Sequence, residues 1–426
     1  MANFLKKGGV YLCSNIINAA IPFLLMPILT RYLTTEEYGV VGIFMAMIAS
    51  FNAFVGMNVH VAASRKYFDG ELNKNALRVY NSACFVLLVI TTLIVLSIIF
   101  LFNNEWIEAL IGITVNYILL ALLVSFCNFV VLFRLSQWQI RAKAIEFGFL
   151  QISNSLMNFI LSIIFVFYLI KNGVDGRIYG IVVASFVFSI LSILSLLKDN
   201  MLSTHLSSVV NFNYKPLMKY GGGLIPHIFG MFLLTSYDKI YIGSELSKSD
   251  AGIYFAAYQL SLGLSILFDG INKAYGPWLF STLKNNEEII KRKIVKLYYI
   301  LFISSILMTI VLVYCLPLIL RPFLGREFLL ALNILPVLIV AQIFGGLYLS
   351  VAHFIYYSEK TYLLSLGTII SGLIYILILP IAVHLYGMYG VAVSFAMVKF
   401  VHFTLTFFLS YKSYPMPWFN FKYENK

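Results

Sequence analysis

Twelve apolar runs of twenty residues or more follow one another along this chain, at about 9–32, 39–64, 79–102, 109–133, 145–169, 178–197, 217–242, 251–280, 297–320, 328–357, 362–386 and 388–411. A bilayer core about 30 Å thick is crossed by roughly 20 apolar residues in a helix. No water in that core can bond a free peptide group, so a spanning segment must satisfy its own backbone. Each run is continuously apolar, without the alternation of a barrel strand, so helices are expected. Only 11% of the residues are charged and 61% are hydrophobic, whereas soluble domains run about 25% charged. The expected fold class is an all-α polytopic membrane protein with 12 transmembrane helices. The tight joints at Leu33 to Tyr38 and at Gly387 are its least defined boundaries.

The first of those joints, Arg31-Tyr32-Leu33-Thr34-Thr35-Glu36-Glu37-Tyr38-Gly39, recurs in altered form. Leu246-Ser247-Lys248-Ser249-Asp250-Ala251-Gly252 repeats its order of Leu, hydroxyl, acid and Gly. Gly39 and Gly252 stand 213 positions apart, half of the 426-residue chain, and the same offset carries Gly8-Gly9 onto Gly221-Gly222. This indicates an internal duplication. Six spans per half is an even number, so both halves enter the membrane from the same side. They should be related by an axis along the membrane normal, with a cavity between two pseudo-symmetric six-helix lobes. The expected organisation is an N-lobe at 1–197, a linker at 198–216, where the most polar internal stretch lies, and a C-lobe at 217–426.

Basic residues set the expected orientation. With the N-terminus inside, 21 of the 30 Lys and Arg residues fall in cytoplasmic segments, and seven, including Arg31, Lys171 and Arg177, fall on the other side. That bias places both termini in the cytoplasm. Basic loops facing an anionic leaflet also account for most of the +12 net charge without nucleic acid as a partner. Lys6-Lys7 before the first run resembles a secretory signal, but the run is long and lacks a small-x-small cleavage site, so a retained first span is expected. Cys13, Cys84, Cys127 and Cys315 all lie in apolar runs and show neither a disulfide framework nor a zinc spacing.

Ionisable residues within spans cost at least about 2.5 kcal/mol to insert and usually face a cavity or a partner. The candidates are Arg31, His60, Asp238, Lys239, Asp269, Lys273, Lys399 and His402. His60 and Lys273 are again 213 apart. Arg31 and the Asp238-Lys239 pair fall near the outer ends of the first helix of each half. Arg31 can equally snorkel to the headgroups, and Asp269 and Lys273, spaced i, i+4, can neutralise each other. Adjacent Asp238 and Lys239 are expected to leave one helix face in different directions, so that at most one points into the cavity. His227, His353, His384 and His402 are expected to pack or to hydrogen-bond between helices, and amides such as Asn15, Asn18, Asn158 and Gln342 to bond between helices, though sugar recognition would use the same amides. Pro22, Pro27 and Pro226 can kink the first helix of each half. No phosphate-cradling loop, His-Glu-x-x-His or Gly-x-Ser-x-Gly motif is present, so no cofactor is expected and transport would draw on a gradient.

Arg31-Tyr32-Leu33 with Glu37-Tyr38-Gly39, and Tyr237-Asp238-Lys239-Ile240-Tyr241-Ile242-Gly243 with Ala251-Gly252-Ile253-Tyr254, resemble the polysaccharide transport group of the multidrug/oligosaccharidyl-lipid/polysaccharide (MOP) exporter superfamily. The resemblance covers essentially the whole chain and is strongest to Wzx-type O-antigen flippases. It implies a V-shaped, MATE-like transporter of the bacterial inner membrane that moves undecaprenyl-pyrophosphate-linked oligosaccharide through a cationic cavity. In that picture Arg31, His60, Lys239 and Lys273 bind substrate, and Asp238 and Asp269 serve ion coupling or charge pairing. The implied partners are the lipid-linked oligosaccharide and membrane lipids, with H+ or Na+ and other polysaccharide assembly proteins as further candidates. Asp238 and Asp269 depart from a purely cationic cavity. A drug or cation antiporter of the same superfamily would favour unpaired acids, yet basic span residues outnumber acidic ones here. A membrane-embedded polymerase would need a large loop, which the chain lacks.

Overall fold

The computed structural model describes residues 2–68, 73–169, 172–203, 205–284 and 287–418. Lys171, Lys422 and Lys426, used above to orient the chain, lie outside them. No strand occurs among the described residues. The helices are α1 (Ala2–Tyr32), α2 (Thr35–Phe54), α3 (Val59–Phe68), α4 (Lys74–Leu101), α5 (Asn104–Ile111), α6 (Val115–Ile140), α7 (Ala144–Ile164), α8 (Gly173–Lys198), α9 (Leu206–Val210), α10 (Lys215–Thr235), α11 (Tyr237–Glu245), α12 (Lys248–Leu283), α13 (Glu288–Leu320), α14 (Ala331–Tyr357) and α15 (Tyr362–Ser413).

Among the described residues, eleven helical segments are long and apolar enough to cross a membrane. The last, α15, contains 52 residues, roughly 78 Å of helix at 1.5 Å per residue and more than twice a bilayer core. It is broken at Gly387, whose φ of 55° and ψ of −138° are open essentially to glycine alone. Beyond the break the chain folds back. Tyr375 meets Phe395 with ring centroids 6.2 Å apart, and Thr368 meets His402 at 3.5 Å. The two arms of α15 supply the eleventh and twelfth expected spans.

The chain packs as two compact units, one of residues 1–255 with 325–327 and one of 256–324 with 328–426. In the first, α2 and α6 form the centre, each about two-thirds buried, and α4 and α7 lie outside. α10 and α11 pack against α2. Lipid is as apolar as leucine, so burial alone does not hold such helices together; close packing and interhelical hydrogen bonds do. Ser125 donates to Ile48 O at 3.2 Å and Gln151 to Asn15 at 3.2 Å. Large exposed side chains on α4, such as Leu93 and Leu101, are what a lipid-facing surface requires. In the second unit α14 is the buried helix and α13 the outer one. Gln342 of α14 accepts from Ser265 at 2.5 Å and donates to Ser261 at 3.0 Å. Below them Leu279, Val295, Tyr298, Phe354, Met416 and Trp418 close a core.

The span expected at 39–64 is not continuous. Gly56, Met57 and Asn58 all have positive φ and separate α2 from α3. The Gly56 N–H released by the break donates to Thr91 Oγ1 at 2.8 Å, which makes the interruption tolerable in a membrane. α1, by contrast, continues through Pro22 and Pro27.

The duplicated joint forms two matching helix starts. Thr34 Oγ1 accepts from Glu37 N at 3.2 Å, and Glu37 Oε2 accepts from Thr34 N at 2.8 Å, a capping box. At the same offset Ser247 Oγ accepts from Asp250 N at 3.0 Å and donates to Asp250 Oδ2 at 2.6 Å. Thr34→Ala and Ser247→Ala are each expected to cost about 1 kcal/mol, read as a lowered thermal midpoint in detergent.

Candidate functional site

The two helix starts meet in the first unit. Ideal Cβ atoms placed on Gly39 and Gly252 would collide with the Lys248 and Thr35 carbonyl oxygens respectively. These two contacts are images of each other under the 213-residue offset. Thr35 Oγ1 and Ser249 Oγ join the same crossing at 2.7 Å. The repeat signature is therefore first a backbone-to-backbone packing device between the starts of α2 and α12.

Arg31 lies in the last turn of α1 and is exposed. Asp238 and Lys239 open α11, immediately after the break at Ser236. Both are buried, at 0% and 2% exposure, and they form a direct ion pair, with Lys239 Nζ 2.8 Å from Asp238 Oδ1. The expectation that neighbouring residues would diverge is thus overturned. Two features account for this: Lys is long enough to fold back, and the break frees the Thr235 carbonyl, to which Nζ also donates at 2.6 Å. Tyr254 OH donates to the other Asp238 oxygen at 2.6 Å. These three bonds are internal to the unit.

His60 follows the helix break. It sets its ring edge-on to Phe129 at 5.8 Å, and its Nδ1 is buried without a protein partner among the described residues. Its repeat counterpart Lys273 lies in the second unit and pairs with Asp269 at 2.6 Å. Both side chains are half exposed, at 51% and 50%, so this pair stays accessible. Lys399 is buried over the Phe395 ring, and His402 stacks on Tyr348 at 4.1 Å. His353 bonds Leu349 O at 3.0 Å; with His402 it takes the packing role expected of it.

Two arginines assigned to loops are inside helices. Arg177 belongs to α8 and is 8% exposed. Its Nη1 donates to Asn158 Oδ1 at 2.7 Å and to Ser162 Oγ. Ideal Cβ atoms on Gly180 and Gly176 would lie 2.9 Å from the backbone of Ser162 in α7 and of Phe165 and Val166 just beyond it, and this close approach lets the arginine reach α7's amide and hydroxyl. The i, i+4 glycine spacing was the available signal. Arg134 of α6 is 1% exposed and paired with Asp199. Nothing in its apolar neighbourhood marked it, because its partner lies 65 residues away.

Among the described residues no group of three or more His, Cys, Asp or Glu side chains could hold a metal ion.

Residues 4–284 match the family model described as polysaccharide biosynthesis protein. An uncharacterized membrane protein of Haemophilus influenzae is 25% identical over 382 residues, covering 88% of this chain and 89% of that relative. A second relative from the same organism, Lsg locus putative protein 1, is 24% identical over 400 residues, or 93% and 92% of the two chains. Among solved structures, the inward-facing conformation of a multidrug resistance MATE family transporter of the MOP superfamily superposes with a TM-score of 0.72. Identity is 14%, and the match covers 93% of this chain and 97% of that one. The lipid II flippase MurJ, in an inward closed conformation, also gives 0.72, with 16% identity over 96% and 88% of the two chains. At such identities the likeness establishes the fold, and the matched residues 4–284 establish the lineage: this multi-pass membrane protein belongs to the polysaccharide biosynthesis protein family.

Proposed function

We propose that the protein is a flippase that carries undecaprenyl-pyrophosphate-linked oligosaccharide, an O-antigen or related surface polysaccharide unit, across the bacterial inner membrane by alternating access. The single observation carrying this reading is membership in a polysaccharide biosynthesis family by a chain whose fold is that of MATE transporters. Both termini are cytoplasmic in this proposal, on the bias of Lys and Arg among its loops.

Arg31 and Lys273 are the exposed cations that meet the diphosphate, with His60 beside a helix break as a polar auxiliary. Lys239, neutralised and buried by Asp238, contributes by shaping its helix end. Asp269, half exposed beside Lys273, is the better placed of the two acids to exchange a coupling proton or to release Lys273 to substrate. Amides and serines bind the glycan, and the lipid tail stays in the bilayer.

A flippase-deficient strain complemented with this chain tests the reading. Arg31→Ala or Lys273→Ala removes a charge-assisted contact of about 1.5–3 kcal/mol, so surface polysaccharide should fall roughly tenfold or more at equal protein level. Wild-type polysaccharide in both variants would remove the charge clamp. Failure of the parent chain with every lipid-linked unit offered, together with efflux of organic cations, would instead favour a drug antiporter.

A further inference from the structure

The ends of α3, α4, α6 and α8 in the first unit enclose a polar pocket of about 450 Å³. Tyr67, Lys74, Arg78, Asn81, Arg141 and Asp199 line it, three cations against one carboxylate. That carboxylate is already satisfied: Asp199 pairs with Arg134 and lies 3.9 Å from Lys143 Nζ. Burial alone would raise its pKa, but the Arg134 bond and the charges of Arg134, Lys143 and Arg141 outweigh this and hold it below its ordinary value. One ionised acid offsets at most one of the three cations among these lining residues.

Those cations are set in place. Arg78 Nε donates to Asn200 O at 2.7 Å. Arg141 lies over the Tyr67 ring at 4.5 Å, and its Nη1 donates to Gln137 O at 3.0 Å and Gln137 Oε1 at 2.6 Å. Lys74 is exposed and makes no ion pair or hydrogen bond among the described residues. Asn81, 1% exposed, donates to Met201 O at 3.1 Å, while its Oδ1 is buried and has no partner. The described lining residues thus carry a net positive charge, together with one buried acceptor that has no partner among them.

Its depth narrows the choice. The pocket is formed where four spans end, at Phe68, Lys74, Ile140 and Lys198, and span ends are expected to reach the headgroup region of a bilayer. Basic pockets between span ends suit such headgroups. We propose that this pocket binds a phosphate ester carrying a hydroxyl, as in the headgroup of an anionic glycerophospholipid. The phosphate sits on Lys74, Arg78 and Arg141, and the hydroxyl donates to Asn81 Oδ1. The site shares no residue with the candidate substrate contacts Arg31, His60, Lys239 and Lys273.

Native mass spectrometry of the full chain, released from detergent, decides the matter. Phosphatidylglycerol is expected to be retained about tenfold more than phosphatidylcholine, as for a charge-assisted contact, and less so as salt rises. Arg141→Gln should reduce retention about tenfold. Lys74→Gln, on an exposed side chain that holds nothing in place, should reduce it about fivefold, one surface cation's worth. The lysine variant keeps the test valid if the arginine variant misfolds. Equal retention of the two lipids, or phosphatidylglycerol retention unchanged by Lys74→Gln, overturns the site. Inorganic pyrophosphate bound without lipid, with no preference between the lipids, overturns the headgroup assignment in favour of a soluble phosphate.

Discussion

Gly39→Ala and Gly252→Ala should each abolish recovery of folded protein. A Cβ on Gly39 would overlap the Lys248 carbonyl oxygen and come within 2.8 Å of its carbon and 3.0 Å of Gly252 N. On Gly252 it would overlap Thr35 O and lie 2.8 Å from Gly39 N. Overpacking against side chains typically costs 1–3 kcal/mol because they can shift. Here the obstacle is the first turn of a helix, held by the capping contacts of Thr34 and Ser247, so about 3 kcal/mol or more is expected, most of a marginal protein's stability. Gly263, around which an added Cβ meets nothing within 4 Å, is the control. Gly263→Ala should leave the protein unchanged or firmer, since alanine favours helix by up to about 1 kcal/mol. Size-exclusion profiles and thermal midpoints in detergent report both. A Gly39→Ala protein with a normal midpoint would show that the two helix starts are not in backbone contact.

Asp238→Ala and Lys239→Met should come next in severity. Each leaves one buried charge without its partner, a loss of about 3–5 kcal/mol. The double variant Asp238→Asn/Lys239→Met removes both charges and should recover most of that loss. The same substitution at the half-exposed Asp269, paired with Lys273, should cost under about 1 kcal/mol. If the double variant is as unstable as the two singles combined, the Asp238–Lys239 pair is not what holds the start of α11. This ordering bears on transport measurements. Lost polysaccharide in a Lys239 variant must be corrected for lost protein, whereas a Lys273 variant reports on function nearly directly.

Much of the candidate site could be reasoned from single residues, but pairings were legible only where helix geometry fixes them locally. The i, i+4 spacing of Asp269 and Lys273 was sufficient to expect their ion pair, because a helix fixes that geometry locally. Asp238 and Lys239 were expected to diverge, and they converge because the break at Ser236 frees a carbonyl that draws the lysine back. One expected span ends at 133 and another begins at 178, which leaves Arg134 and Arg177 just outside them. Each is inside a helix because a partner distant in sequence, Asn158 with Ser162 or Asp199, receives it. The break at Gly56 to Asn58 had no signal beyond a single glycine.

Sequence alone determined the membrane class, the order of the twelve spans and the duplication. Those depend on the length of apolar runs and on a fixed offset, and a bilayer's thickness acts on each run separately. Tertiary structure decided what the duplicated motif does. Two glycines 213 positions apart become one backbone crossing, and two buried arginines and one buried lysine find acceptors. Inside lipid an unmatched polar group is costly wherever it falls, so the partner that relieves the cost can come from any helix that packs nearby, and sequence distance does not identify which.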